Sequence, residues 1–225
     1  MKTGLIVAIE TDSIFDYYKD WEALDAPSGF DLYKINTKNG ELYVLHTGMG
    51  EIAAAAGVQF LVSGVGVERV INFGVVGGLT EEMQKSKVCA VERVVHYKYD
   101  CSEFMDLKPG QLPEHDSIFL RTDKALLNKA LSVMPELKKV TCCSGDKFVG
   151  TAEEKSSLHK NFEGDICDME SAGIVLACEI NNIPCLMLKA VSDGLTGGAN
   201  EFYAELKKVS DRCLEVTDAI LAEID

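Results

Sequence analysis

Apolar positions along the chain fall into two rhythms, and their alternation outlines a fold. GLIVAIE (4–10) is a nearly continuous apolar run and predicts a buried strand, followed by a helical segment through DSIFDYYKDW. DLYKINT and ELYVLHTG, joined by KNG, predict a hairpin, because Asn-Gly adopts tight-turn backbone angles at little cost. GEIAAAAGVQFLVSGV predicts an alanine-rich helix, slim enough to lie close on a sheet. RVINFGVVGGL (69–79) predicts a strand running into a glycine-rich turn, and KVCAVERVVHY (87–97) another strand.

The stretch 98–118 shows little periodicity, holds Pro109 and Pro113, and predicts a long loop. DKALLNKALSVM predicts a helix, KKVTCCSG a strand and TAEEKSSLHK a short helix. MESAGIVLACEIN then predicts a buried helix and IPCLMLKAVSD a central strand. Over 200–224, Phe202, Leu206, Val209, Cys213, Val216 and Ile220 recur at three- and four-residue spacing, the stripe of an amphipathic helix. No repeat or linker interrupts this order. It implies a single α/β domain over residues 1–225, a three-layer sandwich with a central mixed β-sheet flanked by helices.

Composition narrows the function classes. With 47% hydrophobic and 26% charged residues the chain has the make-up of a soluble globular protein. A net charge of −14 argues against nucleic-acid polymers, whose phosphates require basic surfaces, but not against a small nucleoside. The longest uncharged stretch, 52–67, is broken by Gln59, Ser63 and three glycines, which argues against a membrane span. The N-terminal MKTGLIVAIE reaches an acid too soon for a signal peptide. Eight cysteines without a CxxC pair, several inside apolar segments, are expected as reduced thiols of a cytoplasmic protein. Four isolated histidines have no metal-ligand spacing, so no metal is expected.

Two acids interrupt apolar surroundings: Glu170 in DMES (168–171) and Asp193 in AVSDG (190–194). Burying a lone carboxylate is costly, so each needs a reason. Ligands of open α/β sheets collect at the carboxyl ends of the strands, where Asp12, GVVGGL, SGDKFVG (144–150) and SDG (192–194) all fall. Singly, each has a plain structural explanation. Gly74, Gly77 and Gly78 suit a tight turn, Asp146 a cap for the following helix, Glu170 a helix N-terminus and Asp193 a strand-end turn. Met169 and Phe148 suit core packing equally well.

Taken in order, MKTGLIVAIETD, TGMGEIAAA, VINFGVVGGL, SGDKFV, DMES and AVSD resemble the nucleoside phosphorylase superfamily over essentially the whole chain. The closest resemblance is to the methylthioadenosine/S-adenosylhomocysteine nucleosidases. That resemblance implies hydrolysis of a purine nucleoside N-glycosidic bond without a cofactor. It assigns Asp193, steadied by Ser192, to protonate the departing purine at N7. Glu170 would accept hydrogen bonds from the ribose hydroxyls and face the developing cation. Met169 would lie on the sugar, Phe148 would stack on the purine and Val149 would present backbone groups to it. Met49 and Phe202 would complete the substrate pocket. The resemblance further implies a homodimer with a shared active site, in which Met105, Leu107 and Pro113 of the 98–118 loop reach the neighbouring subunit.

The sequence departs from this pattern where the attacking water should be held. The resembling enzymes carry Glu, Arg and Ser at the positions of Asp12, Lys189 and Val75. A carboxylate and a cation remain, which leads to the expectation that Asp12 and Lys189 together orient the water. Lysine lacks the planar fork of arginine, and aspartate is one methylene shorter than glutamate. Three alternatives stay open: a nucleosidase for a futalosine-like nucleoside, a phosphate-dependent phosphorylase, and a catalytically silent nucleoside-binding protein. AIETDS offers no arginine to hold phosphate, which favours water over phosphorolysis.

Overall fold

The computed structural model describes residues 1–85 and 87–224. Its centre is a mixed sheet built on β1 (Lys2–Val7), β5 (Arg69–Gly78) and β10 (Cys185–Asp193), all mutually parallel. Outward from β1 run β4 (Gly40–His46), β3 (Asp31–Thr37) and β2 (Trp21–Leu24). On the other side the sheet curls back on itself. β10 pairs with β6 (Val88–His96), β6 with β8 (Lys138–Ser144), β8 with β9 (Ile166–Asp168), and β9 returns to β5. A two-residue strand β7 (Leu120–Arg121) adds to β6. The mixed sheet expected from the sequence is therefore part closed ring and part open arm.

Helices cover both faces, as the three-layer expectation requires. The reason lies in the alternation of side chains between the two faces of the central strands. Ile6 of β1 and Met187 and Val191 of β10 turn to one face, where α2 (Glu51–Phe60) and α5 (Ser171–Ile180) supply Ala54, Val58, Ile174 and Val175. Leu5, Val7, Leu186, Leu188 and Ala190 turn to the other. There α1 (Thr11–Tyr17), α3 (Lys124–Val133) and α6 (Ala199–Leu221) supply Ile14, Leu127, Val209, Cys213, Leu214 and Ile220. Strands buried on both faces lose the alternation of a half-exposed strand, hence the continuous apolar runs in the sequence. Each large apolar side chain so buried contributes about 1.5–3 kcal/mol. A sixth helix, α4 (Ala152–Phe162), packs over the end of the ring through Leu158.

Three features differ from the sequence expectation. The glycine-rich stretch 74–78 is not a turn but the end of β5, because β9 and β10 flank it and pair with Gly77 and Gly78. β2 and β9 went unforeseen: β2 is an exposed edge strand without apolar alternation, and β9 is three residues long. Asp146 does not cap α4. Its Oδ1 accepts from Glu51 N (2.8 Å) at the start of α2, and Thr151 caps α4. All eight cysteines are free thiols and seven are buried. Among the described residues no helix is long and apolar enough to cross a membrane.

Candidate active site

The carboxyl ends of β1, β5 and β10 open into a cleft of about 570 Å³, mouth included, whose floor also takes in β9 and the start of α5. Its walls are mainly apolar, with Met49, Val75, Phe148, Val149, Met169 and Phe202 around it. Phe148 is 44% exposed and meets Phe202 edge-on at 5.7 Å, so neither is a core residue. Four acids reach the cleft: Glu10, Asp168, Glu170 and Asp193.

Asp193 is aimed by a β-bulge. Val191 pairs with Val76 and Asp193 with Gly77, leaving Ser192 as the extra residue, an irregularity that re-aims side chains at strand ends. Ser192 Oγ lies 2.8 Å from Asp193 Oδ1 and 3.1 Å from Val76 O. The other carboxylate oxygen, Oδ2, accepts from the Lys155 ammonium, and both side chains are buried.

Glu170 is the residue before α5. Its Oε1 accepts from Gly50 N at 2.9 Å and its Oε2 from Met169 N at 3.2 Å. Gly50 presents that amide from a backbone with φ of 105°, a conformation costly for residues with a side chain. Burial, reinforced by the neighbouring Asp168 charge, pushes the Glu170 carboxyl up to about 7, although Lys189 and the Gly50 amide act the other way. Lys189 is buried in the middle of β10 and binds Asp168 Oδ2 at 2.8 Å. Burial opposes its charge, yet Asp168 and Glu170 hold its proton more tightly than usual. Burial alone would raise Asp168; Lys189 and the bonds from Ser171 outweigh it and keep that carboxylate below its ordinary range.

The expected Asp12–Lys189 pair does not form. β1 ends at Val7 and residues 8–10 cross the strand ends before α1 begins at Thr11. Asp12 falls on the exposed side of the first helical turn, outside the cleft, while Glu10 is buried and points in. Glu10 Oε1 accepts from Val75 N and Oε2 from Ile9 N, each at 2.9 Å. A Cβ at position 74 would stand 3.0 Å from Glu10 Oε1, so Gly74 makes room for this carboxylate. Val75 thus contributes its backbone amide. Lys189 is absent from the cleft wall, where Asp168 screens it.

Met105, Leu107 and Pro113 do not line this cleft, and Met105 and Pro113 are exposed on the long loop. Sequence reasoning missed Glu10, Lys155 and Asp168. The signal for Lys155 was its place three residues before Leu158 on the buried face of α4. Among the described residues no group of three His, Cys, Asp or Glu side chains could hold a metal ion.

A closed-ring α/β sheet with an acid-lined cleft at its strand ends defines a class, and the sequence matches it. The profile of the phosphorylase superfamily matches residues 3–224, and the chain belongs to that superfamily. Within it, the chain is 30% identical over 203 residues to a 5'-methylthioadenosine/S-adenosylhomocysteine nucleosidase of Haemophilus ducreyi, covering 86% of this chain and 85% of the relative. It is 25% identical over 202 residues to an aminodeoxyfutalosine nucleosidase of Campylobacter jejuni, covering 86% of each. The futalosine hydrolase structure of Helicobacter pylori strain 26695 superposes with a TM-score of 0.93 at 27% identity, covering 100% of this chain and 98% of that one. A 5'-methylthioadenosine/S-adenosylhomocysteine nucleosidase of Helicobacter pylori with butyl-thio-DADMe-Immucillin-A also superposes at 0.93, with 25% identity, covering 100% and 99%.

Proposed function

We propose that the chain is a purine nucleosidase that hydrolyses the N-glycosidic bond of 5'-methylthioadenosine or S-adenosylhomocysteine. The observation that carries this reading is the placement of Glu10, Glu170 and Asp193 around one apolar cleft. Glycosidic cleavage builds positive charge on the ribose and negative charge on the purine. Asp193 protonates N7 so that the base departs neutral. Glu170 accepts the ribose hydroxyls, and its charge faces the oxocarbenium-like centre. Glu10 takes the role expected of Asp12: it accepts a proton from the attacking water. Phe148 and Phe202 flank the purine, Val149 meets its edge, and Met49 and Met169 cover the sugar and its thioether.

Water is favoured over phosphate because the nucleophile's side of the cleft presents the Glu10 carboxylate. No arginine lines the cleft among the described residues, and Lys147 at its mouth bonds Glu154. The 98–118 loop, with Met105, Leu107 and Pro113, closes the corresponding cleft of a second copy in a homodimer. A second reading, an aminodeoxyfutalosine nucleosidase, is supported by the names of several relatives. The test is release of adenine from 5'-methylthioadenosine, and of the base from aminodeoxyfutalosine, each with and without phosphate. Release independent of phosphate supports a nucleosidase, and the ratio of the two kcat/KM values chooses the substrate. Release only with phosphate identifies a phosphorylase, and no release leaves a nucleoside-binding protein.

A further inference from the structure

Lys155 occupies an unusual place for a lysine: its side chain is wholly buried, with 0% exposure. Taking an ammonium out of water costs several kcal/mol unless every donor is satisfied. Its Nζ donates to Asp193 Oδ2, to Gly194 O at 2.6 Å and to Gly197 O at 3.1 Å, and lies 3.5 Å from Asp193 O. All of these acceptors belong to Asp193 or to the turn between β10 and α6. α4 thus sends one cation to the acid that faces the purine.

The pattern around Asp193 is that of an anion. Ser192 addresses Oδ1 and Lys155 addresses Oδ2, so each carboxylate oxygen faces a donor. A group that must deliver a proton is held in the form that lacks one. The nearest group carrying a proton to give is Lys155. Ser192 can accommodate the change, because its hydroxyl hydrogen can turn from Asp193 to Val76 O, 3.1 Å away. The titratable groups around the pair include Cys167 of β9, a thiol that burial pushes up to about 12, Asp168 of the same strand, which Lys189 holds, and Glu201 of α6. Glu201 accepts from Gly194 N at 3.0 Å.

We propose that Lys155 is a positioning residue that holds the Asp193 carboxylate toward the purine and supplies the proton Asp193 passes to N7. This rests on the nucleosidase reading above. As the C1'–N9 bond breaks, its electron pair stays on the purine. A proton moves from Lys155 to Asp193 and from Asp193 to N7, leaving a neutral amine, a carboxylate and a neutral base. Water adds its hydroxyl to C1' and its remaining proton goes to Glu10. After the products leave, water in the cleft returns a proton to Lys155 through Asp193 and takes one from Glu10.

The test is the pH dependence of kcat for 5'-methylthioadenosine between pH 6 and pH 8 in wild type, Lys155→Met and Lys155→Gln. The glutamine variant retains a donor for the Gly194 and Gly197 carbonyls, and adenine titration reports whether either variant is folded. Without the ammonium, Asp193 has no lysine from which to take the proton it passes to N7, and ordinary carboxyl groups are ionised across this pH range. The ratio of wild-type to variant kcat should therefore rise by at least about tenfold from pH 6 to pH 8. Taking the ratio cancels any titration of Glu170. A deficit constant with pH would reduce Lys155 to a brace for the turn, and no deficit would remove it from the reaction; either overturns the proposal. Full activity in Asp193→Asn would instead overturn the role of Asp193 on which the relay depends.

Discussion

Two lysine–aspartate pairs are buried side by side at the end of this sheet, and they are built for opposite ends. Asp168 is saturated: Lys189 and Ser171 Oγ bind Oδ2, while the amides of Glu170 and Ser171 approach Oδ1 at 3.4 and 3.2 Å. It caps α5, and its charge is fully committed. Asp193 has one donor on each oxygen, Ser192 and Lys155, and faces the cleft. A carboxylate with every lone pair engaged is a structural element, whereas one with spare capacity beside an apolar pocket is available for proton transfer. On the proposed function the same residue pairing serves scaffold in one place and chemistry in the other, and the coordination is what distinguishes them.

The largest effect should come from breaking the chemical pair. Asp193→Asn keeps a side chain of the same shape but has no acidic proton, so kcat should fall by about 10²–10⁴. Adenine affinity, measured by titration, should stay within about threefold. Glu10→Gln comes next, with a kcat loss of about 10² or more and unchanged adenine affinity, because the amide can orient water but cannot accept its proton.

Breaking the scaffold pair should act on stability. Lys189→Met leaves Asp168 and Glu170 facing each other without their shared cation, and uncompensated buried charge typically costs about 3–5 kcal/mol. Chemical denaturation at pH 7 should register this loss, and the acid limb of kcat/KM should shift to higher pH. On the proposed function that limb belongs to Glu170, which would have to be ionised to receive the ribose hydroxyls. With its carboxyl at about 7 in the free protein, kcat/KM should decline as pH drops through 7.

The stability consequence of Glu170 runs opposite to the usual carboxylate case. A folded-state value raised from 4.5 to about 7 means that folding favours the protonated form. Its contribution is therefore neutral below about 4.5, worsens as pH rises, and reaches its full cost above 7, on the order of 3 kcal/mol. Glu170→Gln does not titrate. The Tm of this variant minus that of wild type should be larger at pH 8 than at pH 5, while its kcat falls more than its KM changes. If KM alone changes, Glu170 contributes uniform binding rather than transition-state stabilisation.

The fold was legible because its strands bury both faces and its helices carry clean stripes. GLIVAIE and IPCLMLKAVSD are apolar for the same reason that α1, α3 and α6 lie on one side and α2 and α5 on the other. Glu170 and Asp193 stood out because acids in apolar surroundings need partners. The partners themselves were not legible. Lys155 is about forty residues from Asp193 along the chain, and only the packing of α4 over the ring end brings them together. Likewise the extension of β5 through its glycines depends on β9, too short to leave a pattern of its own.

Asp12 is where position along the chain misled, and it carries the smallest expected effect. Counting along the chain puts Asp12 in the place of a water-holding acid, but what counts in space is where the strand stops. β1 releases the chain at Val7, so Glu10 turns over the end of β5 while Asp12 enters α1 facing solvent. Asp12 keeps only the favourable location of an acid in the first helical turn, worth roughly 0.3–1 kcal/mol. Asp12→Asn should therefore leave kcat within about twofold and lower Tm slightly, in contrast to Glu10→Gln. A kcat loss in Asp12→Asn as large as that in Glu10→Gln would mean that α1 unwinds during turnover and that Asp12 reaches the water after all.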